Sequence, residues 1–481
     1  MANENGVAGA NQLRKNSLGV GAVTFLVVSA AAPLTAVAGG VPISMLMGNG
    51  AGIPAAFLLV TAILLIFAVG YVAMARHVSN AGAFYAYAAQ GFGGLLGGAS
   101  ALVAILSYNA MQIGVFGLFG AATSGLLGSF GLNVPWWACT FVGIALVAVL
   151  GYRRVDLSAR ILTVLVILEY LVVLVLDIAI LAKGGDSGIT LAPFSATQFM
   201  TGSPAIGLLF CFAAFIGFEA TSIYSEEARD PAVTVPRATY ISVVLIGLFY
   251  MFTSWLMVNA SGVDKLSAEL GALKDPTTFL FGLSDRYVGG WLTQIMNVLF
   301  VSSLFAGVVA FHNGVARYMY VAGREKLLPE SIGVTHSVYQ SPHVASLIQT
   351  AIATVTVALF AFSGLDPVLQ LFSWLTNVAT LGIIVLMAIA SFAVVAFFRR
   401  NAALESNAMK ALVLPTIAGL ALVFVTYQIV IHFGDLSGAS GAVGVLLPGL
   451  ILVAAVVGLL LAMRLKSVSP ADFAKLGNQK V

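Results

Sequence analysis

One carboxylate stands inside an apolar stretch. Glu219 follows Phe215-Ile216-Gly217-Phe218 directly and precedes the charged run Ser225-Glu226-Glu227-Ala228-Arg229-Asp230-Pro231. Glycine weakens a helix, and an ionisable side chain at a bilayer centre costs about 2.5 to 3.5 kcal/mol on insertion scales. Together they read as a helix broken where it lines a polar cavity. There Glu219 would serve as a proton carrier or as a sensor of conformational state, its protonation altering helix packing. The alternative is a permanently neutral carboxyl bonded to nearby backbone. From its residues alone the run that follows reads as a solvated loop.

A second interruption lies at Ala31-Ala32-Pro33-Leu34-Thr35-Ala36, followed by Gly39-Gly40 and Pro42. Pro33 lacks an N–H and disfavours helix at Ala32, which frees carbonyls near Ser29 and Ala30, and Thr35 adds a hydroxyl at the same level. Alone this reads equally as an ordinary proline kink. Paired with the break at Phe215 to Glu219, it becomes half of a site, because unpaired backbone at membrane depth must be repaired by neighbours or line a cavity. Carbonyls ending the first half-helices attract an ammonium, and N–H groups starting the second halves attract a carboxylate. A small zwitterion or amine can therefore be bound largely by backbone.

Around these breaks, Tyr108 with Asn109 and Trp374 with Asn377 are candidate walls, since an ammonium over an aromatic face gains about 0.5 to 2 kcal/mol. Packing between helices is the competing reading. Glu169 and Asp177, eight residues apart and so within about 80° around a helix, could line a cation path, with snorkelling the alternative for Asp177. Ser302 and Ser303 could offer hydroxyls to a sodium ion beside the first helix, although helical serines usually bond their own carbonyls. His312 and Arg317 read as interfacial packing. Cys139 and Cys211 lack metal-ligand spacing and read as small buried residues.

These residues need a scaffold, and composition names its solvent. The 481 residues are 60% hydrophobic and 9% charged, against about 45 to 50% and about 25% in a soluble domain. A mean hydropathy of +1.02 agrees. The chain is an integral membrane protein, and its net charge of +3 is scattered through short loops, which leaves no footprint for nucleic acid. Twelve stretches reach spanning length: 18 to 46, 53 to 75, 95 to 127, 135 to 152, 157 to 182, 203 to 224, 238 to 259, 290 to 316, 343 to 363, 368 to 398, 411 to 433 and 442 to 464. Arg14-Lys15 before the first of them imitates a cleavable leader, but the apolar run continues through Met47, which suits a span.

With a cytoplasmic N-terminus, only Lys183, Lys265, Lys274 and Arg286 of the 22 Lys and Arg lie outside. Both termini are therefore expected in the cytoplasm, with tails at 1–16 and 465–481. The segment from Ser79 to Gly98 reads as a short interfacial helix on that side, and Gly262 to Gly290 as a solvated external cap. Breaks in helices one and six, of opposite orientation, are what an inverted repeat of five helices produces. The units would be 17–182 and 203–398, with 411–464 outside the repeat.

Other chemistry lacks its signatures. The sequence holds no H-E-x-x-H, no P-loop, no G-x-S-x-G and no dinucleotide fingerprint between strand and helix, so neither an enzyme nor a cofactor is expected. Concentrating a solute would take an ion gradient or exchange.

At this point the chain resembles the amino acid-polyamine-organocation (APC) transporters. Three motifs carry the resemblance: Ala31 to Gly40; Phe215 to Glu219 continuing to Pro231 and Pro236-Arg237; and Arg317-Tyr318-Met319-Tyr320 continuing to Gly323-Arg324-Glu325-Lys326-Leu327-Leu328-Pro329. It covers roughly residues 15 to 465. It implies an all-α membrane protein of twelve transmembrane helices in a five-plus-five inverted repeat, the LeuT-like or APC fold, with substrate between broken helices one and six. It also implies proton coupling or gating at Glu219 and closing contacts at Glu226, Glu227 and Arg229. Ala31 to Ala36 replaces the Gly-Ser-Gly type segment of many amino acid transporters and looks closer to the putrescine-permease branch. Yet the first helix has no acidic residue for a second amine, with Ala38 an example, and span five lacks the intramembrane lysine of some relatives.

The reading is a secondary active transporter in the cytoplasmic membrane that imports an amino acid or small amine by alternating access, coupled to protons, or alternatively to sodium or exchange. A diamine or polyamine permease is the runner-up, and a solute-gated channel or membrane sensor is the reading from a different class. The expected partners are substrate, coupling ion and lipid, with the chain acting as monomer or homodimer.

Overall fold

The computed structural model describes residues 18–78, 82–153, 159–223, 228–434 and 441–477. The chain runs through α1 (Val20–Ala31), a π-helical turn (Thr35–Gly40), α2 (Val41–Met47), α3 (Ile53–Ala75), α4 (Phe84–Phe92), α5 (Gly94–Ser129), α6 (Trp136–Arg153), α7 (Ala159–Lys183) and α8 (Ala196–Phe199). Next come α9 (Pro204–Phe215), α10 (Ala220–Ile223), α11 (Pro231–Ser261), α12 (Leu266–Gly271), α13 (Phe279–Tyr287), α14 (Gly290–Arg324) and α15 (His343–Phe362). Then α16 (Ser373–Arg400), α17 (Leu414–Ile431), α18 (Ala442–Val468) and α19 (Pro470–Phe473) complete it. Ten helices among the described residues are long and apolar enough to cross a membrane, and the protein is multi-pass. The other two stretches of spanning length, 18 to 46 and 203 to 224, are the interrupted ones.

Several boundaries move from the sequence reading. The helix expected over 238 to 259 starts at Pro231, a residue suited to the first helical position. The helix expected over 290 to 316 runs on to Arg324; its 35 residues span about 52 Å, well beyond a hydrocarbon core of about 30 Å. The interfacial helix forms as α4 but lies inside the protein rather than in lipid. Phe84, Tyr85 and Tyr87 are buried, and Gly91 brings α4 so close to α16 that a Cβ there would meet the Ala393 backbone at 2.5 Å. The external cap is more than solvated loop. Its charges face water, with Lys265 paired to Asp186 at 2.7 Å and Arg286 to Glu269, while Leu266, Leu270, Phe279 and Leu280 pack down onto α2 and the π turn.

α5 sits at the centre, in contact with α14, α16 and α18, and α3 pairs with α11. The two interruptions form where the sequence places them. α1 stops because Ala32, ahead of Pro33, takes a left-handed conformation (φ 45°, ψ 75°), and its N–H closes the turn onto the Ser29 carbonyl at 3.1 Å. α9 stops at Ile216, and the chain turns through Gly217 at φ +114°. A side chain is strained in that region, so Gly217→Ala should destabilise by about 1 to 3 kcal/mol. Thermal unfolding in detergent measures it against Gly125→Ala, where added atoms meet nothing and the midpoint should hold or rise.

Candidate binding site at the two breaks

In this protein, breaking a helix frees backbone groups, and several of them find partners on other helices. At the first break the Tyr250 hydroxyl of α11 donates to the Ala31 carbonyl at 3.2 Å. The Leu34 N–H donates to Glu169 Oε2 of α7 at 3.3 Å. The same carboxyl oxygen accepts from the Ser303 hydroxyl of α14 at 2.8 Å, and the Thr35 hydroxyl donates to Ser303 at 3.1 Å. Glu169 is therefore tied to the first break with Ser303 and Thr35, a grouping that residue spacing gave no means of finding.

The second break is built the same way. Gly217 N–H donates to Glu219 Oε2 at 3.0 Å, and the Tyr108 hydroxyl of α5 donates to Oε1. The Tyr71 hydroxyl of α3 reaches the Glu219 carbonyl at 3.1 Å. Glu219 is fully buried, and both carboxyl oxygens meet neutral donors. A proton added at Oε1 would make the carboxyl the donor toward Tyr108 and reverse one hydrogen bond while leaving the Gly217 bond in place. Aromatic rings enclose this corner, with Tyr108 beside Tyr318 at 5.3 Å between centroids and Phe218 edge-on to Phe67 at 6.1 Å.

Between the breaks lies a cavity of ≈ 60 Å³. Ala31, Ala32, Thr35 and Ala36 line it from the first break, and Ile216 from the second. Larger grooves of ≈ 350 and ≈ 410 Å³ exist, but neither is lined by a break residue. Phe57, Phe210, Phe311, Phe372, Met111 and Val115 supply apolar walls, and the polar side chains are Thr35, Ser44 and Thr376. Among the described residues, no carboxylate lines it. Gly307 of α14 faces Ala32 here, and Thr376 comes from α16. Sequence reasoning missed these wall residues because apolar side chains in apolar helices carry no distinguishing signal.

Other expected site residues lie elsewhere. Pro33, Leu34, Phe215, Gly217 and Phe218 stand in the breaks but do not line the cavity. Tyr108 holds Glu219 instead of walling the solute space. Asn109 donates to the Ile105 carbonyl of its own helix at 2.9 Å, and Trp374 packs edge-on to Phe360. Ser302 donates to the Leu299 carbonyl. Asp177 does not snorkel; it is buried and accepts from Thr253 at 2.7 Å. Nor is His312 interfacial, being buried between Gln112 at 3.3 Å and Ser346 at 2.7 Å. Cys139 and Cys211 are free and buried. Glu226 and Glu227 lie outside the described residues. Arg229 has an exposed side chain, and its backbone N–H donates to the Leu18 carbonyl at 2.9 Å, next to an isolated bridge between Leu18 and Ala228.

A family model described as "Amino acid permease" matches residues 18–460. The chain is 26% identical to the branched-chain amino acid permease BcaP of Bacillus subtilis, over 81% of this chain and 84% of that one. It is 25% identical to the low-affinity putrescine importer PlaP of Escherichia coli, over 63% and 67%. Among solved structures, a manganese transporter mutant of Eremococcus coleocola superposes with a TM-score of 0.57 over 98% of this chain and 99% of that one. At 15% identity this is a likeness of fold alone.

The Tyr108 to Glu219 contact should carry energy, since losing one partner of a buried polar pair costs about 1 to 3 kcal/mol. A double-mutant cycle of Tyr108→Phe and Glu219→Ala, read by thermal unfolding, should show coupling of that order. An additive cycle would mean the contact is idle.

Proposed function

The chain belongs to the amino acid permease family and is a membrane transporter, and we propose that it imports a neutral amino acid with an apolar side chain. The observation that carries this reading is the lining of the cavity between the breaks: apolar and aromatic walls, three hydroxyls and no carboxylate. The carbonyls that end α1 and α9 would take the ammonium. The N–H groups opening the second half of helix one, with the Thr35 hydroxyl, would take the carboxylate. Phe57, Phe210 and Phe311 would hold the side chain by apolar burial, about 0.8 kcal/mol per methylene. The Bacillus relative, by its name a branched-chain amino acid permease, supports the same class.

Transport proceeds by alternating access across the cytoplasmic membrane. Both termini face the cytoplasm, and the units 17–182 and 203–398 form an inverted pair, with 411–464 beside them. Glu219 carries the coupling proton, because reversing its bond with Tyr108 changes the brace on the second break. Glu169 with Ser303 and Thr35 is the alternative seat for a coupling ion, at the first break. A diamine is the second reading, favoured by the Escherichia coli relative named as a putrescine importer. Its second ammonium would find no carboxylate on the cavity wall, which ranks it below the neutral amino acid.

In proteoliposomes, L-leucine uptake should saturate and exceed the outside concentration only under an imposed proton gradient. Putrescine should neither compete nor raise the unfolding midpoint, whereas L-leucine at 100 times its dissociation constant should add about 2.7 kcal/mol. Glu219→Gln should keep leucine exchange and lose gradient-driven accumulation. A linear flux indifferent to any gradient would identify a channel instead, and a sensor would bind leucine without moving it.

A further inference from the structure

Beyond the last long helix, the chain does not leave the protein. After α18 it turns at Ser469 into α19 and lies across the end of the bundle as far as Gly477. Asp472 pairs with Lys326 at 3.1 Å. The Gly477 N–H donates to Glu325 Oε2 at 2.9 Å, and the Gly477 carbonyl accepts from Gln90 of α4 at 3.2 Å. Glu325 is 1% exposed and Leu476 3%, so this end of the segment is buried. Gly477 sits at φ +72°, and a Cβ on it would lie 2.8 Å from the Ala89 side chain. The seat is thus shaped for glycine on one residue of the tail.

What the segment covers gives it a role. It joins α4 to the residues that follow α14, adding to the direct contact between Tyr85 of α4 and Tyr318 of α14, 6.3 Å between ring centroids. The inner face of α4 reaches the second break in two steps: the Tyr87 hydroxyl donates to the Tyr71 carbonyl at 3.3 Å, and the Tyr71 hydroxyl donates to the Glu219 carbonyl at 3.1 Å. Phe84 packs on Tyr71 and Phe67, and Phe67 packs on Phe218. A path from the cavity to this end of the molecule would have to part these layers, so whatever fastens α4 opposes the parting.

We propose that Pro470–Gly477 is a latch that fastens α4 to the end of α14 and slows opening of the transport path toward the cytoplasm. The inference rests on the transport reading and the orientation given above. The exposed ion pair between Lys326 and Asp472 contributes little to the hold, and the buried bond to Glu325 with the seated Leu476 contributes most. Such a hold is small enough to be undone in each cycle or by a competitor for the Glu325 seat.

Two variants of the full-length protein test this: truncation after Ser469, and Gly477→Leu, which unseats the tail while leaving α18 and α19 intact. In each, hydrogen exchange at the Phe84–Phe92 amides should rise by about three- to tenfold, the shift expected from losing one or two such contacts, with exchange in α12 and α13 unchanged. Proton-driven L-leucine uptake should rise by a comparable factor in maximal rate. Unchanged α4 exchange in both variants overturns the latch, whatever the flux does. Faster exchange with unchanged flux makes the contact merely structural and overturns its regulatory role. Should wild-type protein move no leucine, the substrate reading fails, and faster α4 exchange together with greater maleimide labelling of a Ser222→Cys reporter would still support the latch, while no change in labelling would overturn it.

Discussion

A peptide N–H or carbonyl released from a helix inside hydrocarbon has no water to turn to, and leaving it unpaired costs several kcal/mol. The architecture at both breaks answers that constraint. Ala31 keeps its carbonyl satisfied by Tyr250, Leu34 its N–H by Glu169, Gly217 its N–H by Glu219, and the Glu219 carbonyl is met by Tyr71. Four of the helices packed around the breaks, α3, α5, α7 and α11, contribute a partner or hold one in place. The breaks thus decide which helices must carry polar side chains at mid-depth, and where.

The same constraint explains why so few charged side chains are needed. A broken helix supplies partial charges at two ends without the desolvation of a full charge, so backbone can serve a zwitterion while the cavity wall stays apolar. The two carboxylates at the breaks then act on the backbone rather than on the cavity: Glu169 and Glu219 each hold a break N–H, and neither lines the solute space. A change of protonation at either would be felt as a change in how firmly a break is held. On the proposed reading, the Glu219 proton and the solute therefore use different atoms, whereas an ion seated at Glu169 would share the Thr35 hydroxyl with the solute.

The sequence was most informative where a residue type has one physical consequence. Pro33 ends a helix and puts Ala32 outside helical geometry; Gly217 permits a turn at φ +114°; long apolar runs have to be helices in lipid. Those readings placed both breaks and nearly all the spans. Partners across the bundle were illegible. Nothing in the spacing of Glu169, 135 residues from Leu34, reports that they touch, and Tyr108 looks alike as a cavity wall or as a donor to a carboxyl. Phe84 to Tyr87 looked interfacial because aromatic residues suit the membrane surface, yet the same side chains stack on Tyr71 and Phe67. Burial in protein and burial in lipid favour similar side chains, and one sequence cannot separate them.

The two braces differ in a way that bears on movement. The first break is tied to α7, α14 and α11 through Glu169, Ser303 and Tyr250, and the second to α5 and α3 through Tyr108 and Tyr71. Among these hydrogen bonds no helix serves both breaks, although Tyr250 also packs edge-on against Phe215 at 6.2 Å. Pulling α5 away from the second break strains the Tyr108 bond and leaves the first break's set intact, while shifting α7 does the reverse. Water entering from either end can replace one set of partners at a time, since the exchanged bonds are comparable in strength. A path that opens to one side and then to the other therefore needs no moment at which both sets of backbone groups are unpaired, and it is the separation of their partners onto different helices that makes this possible.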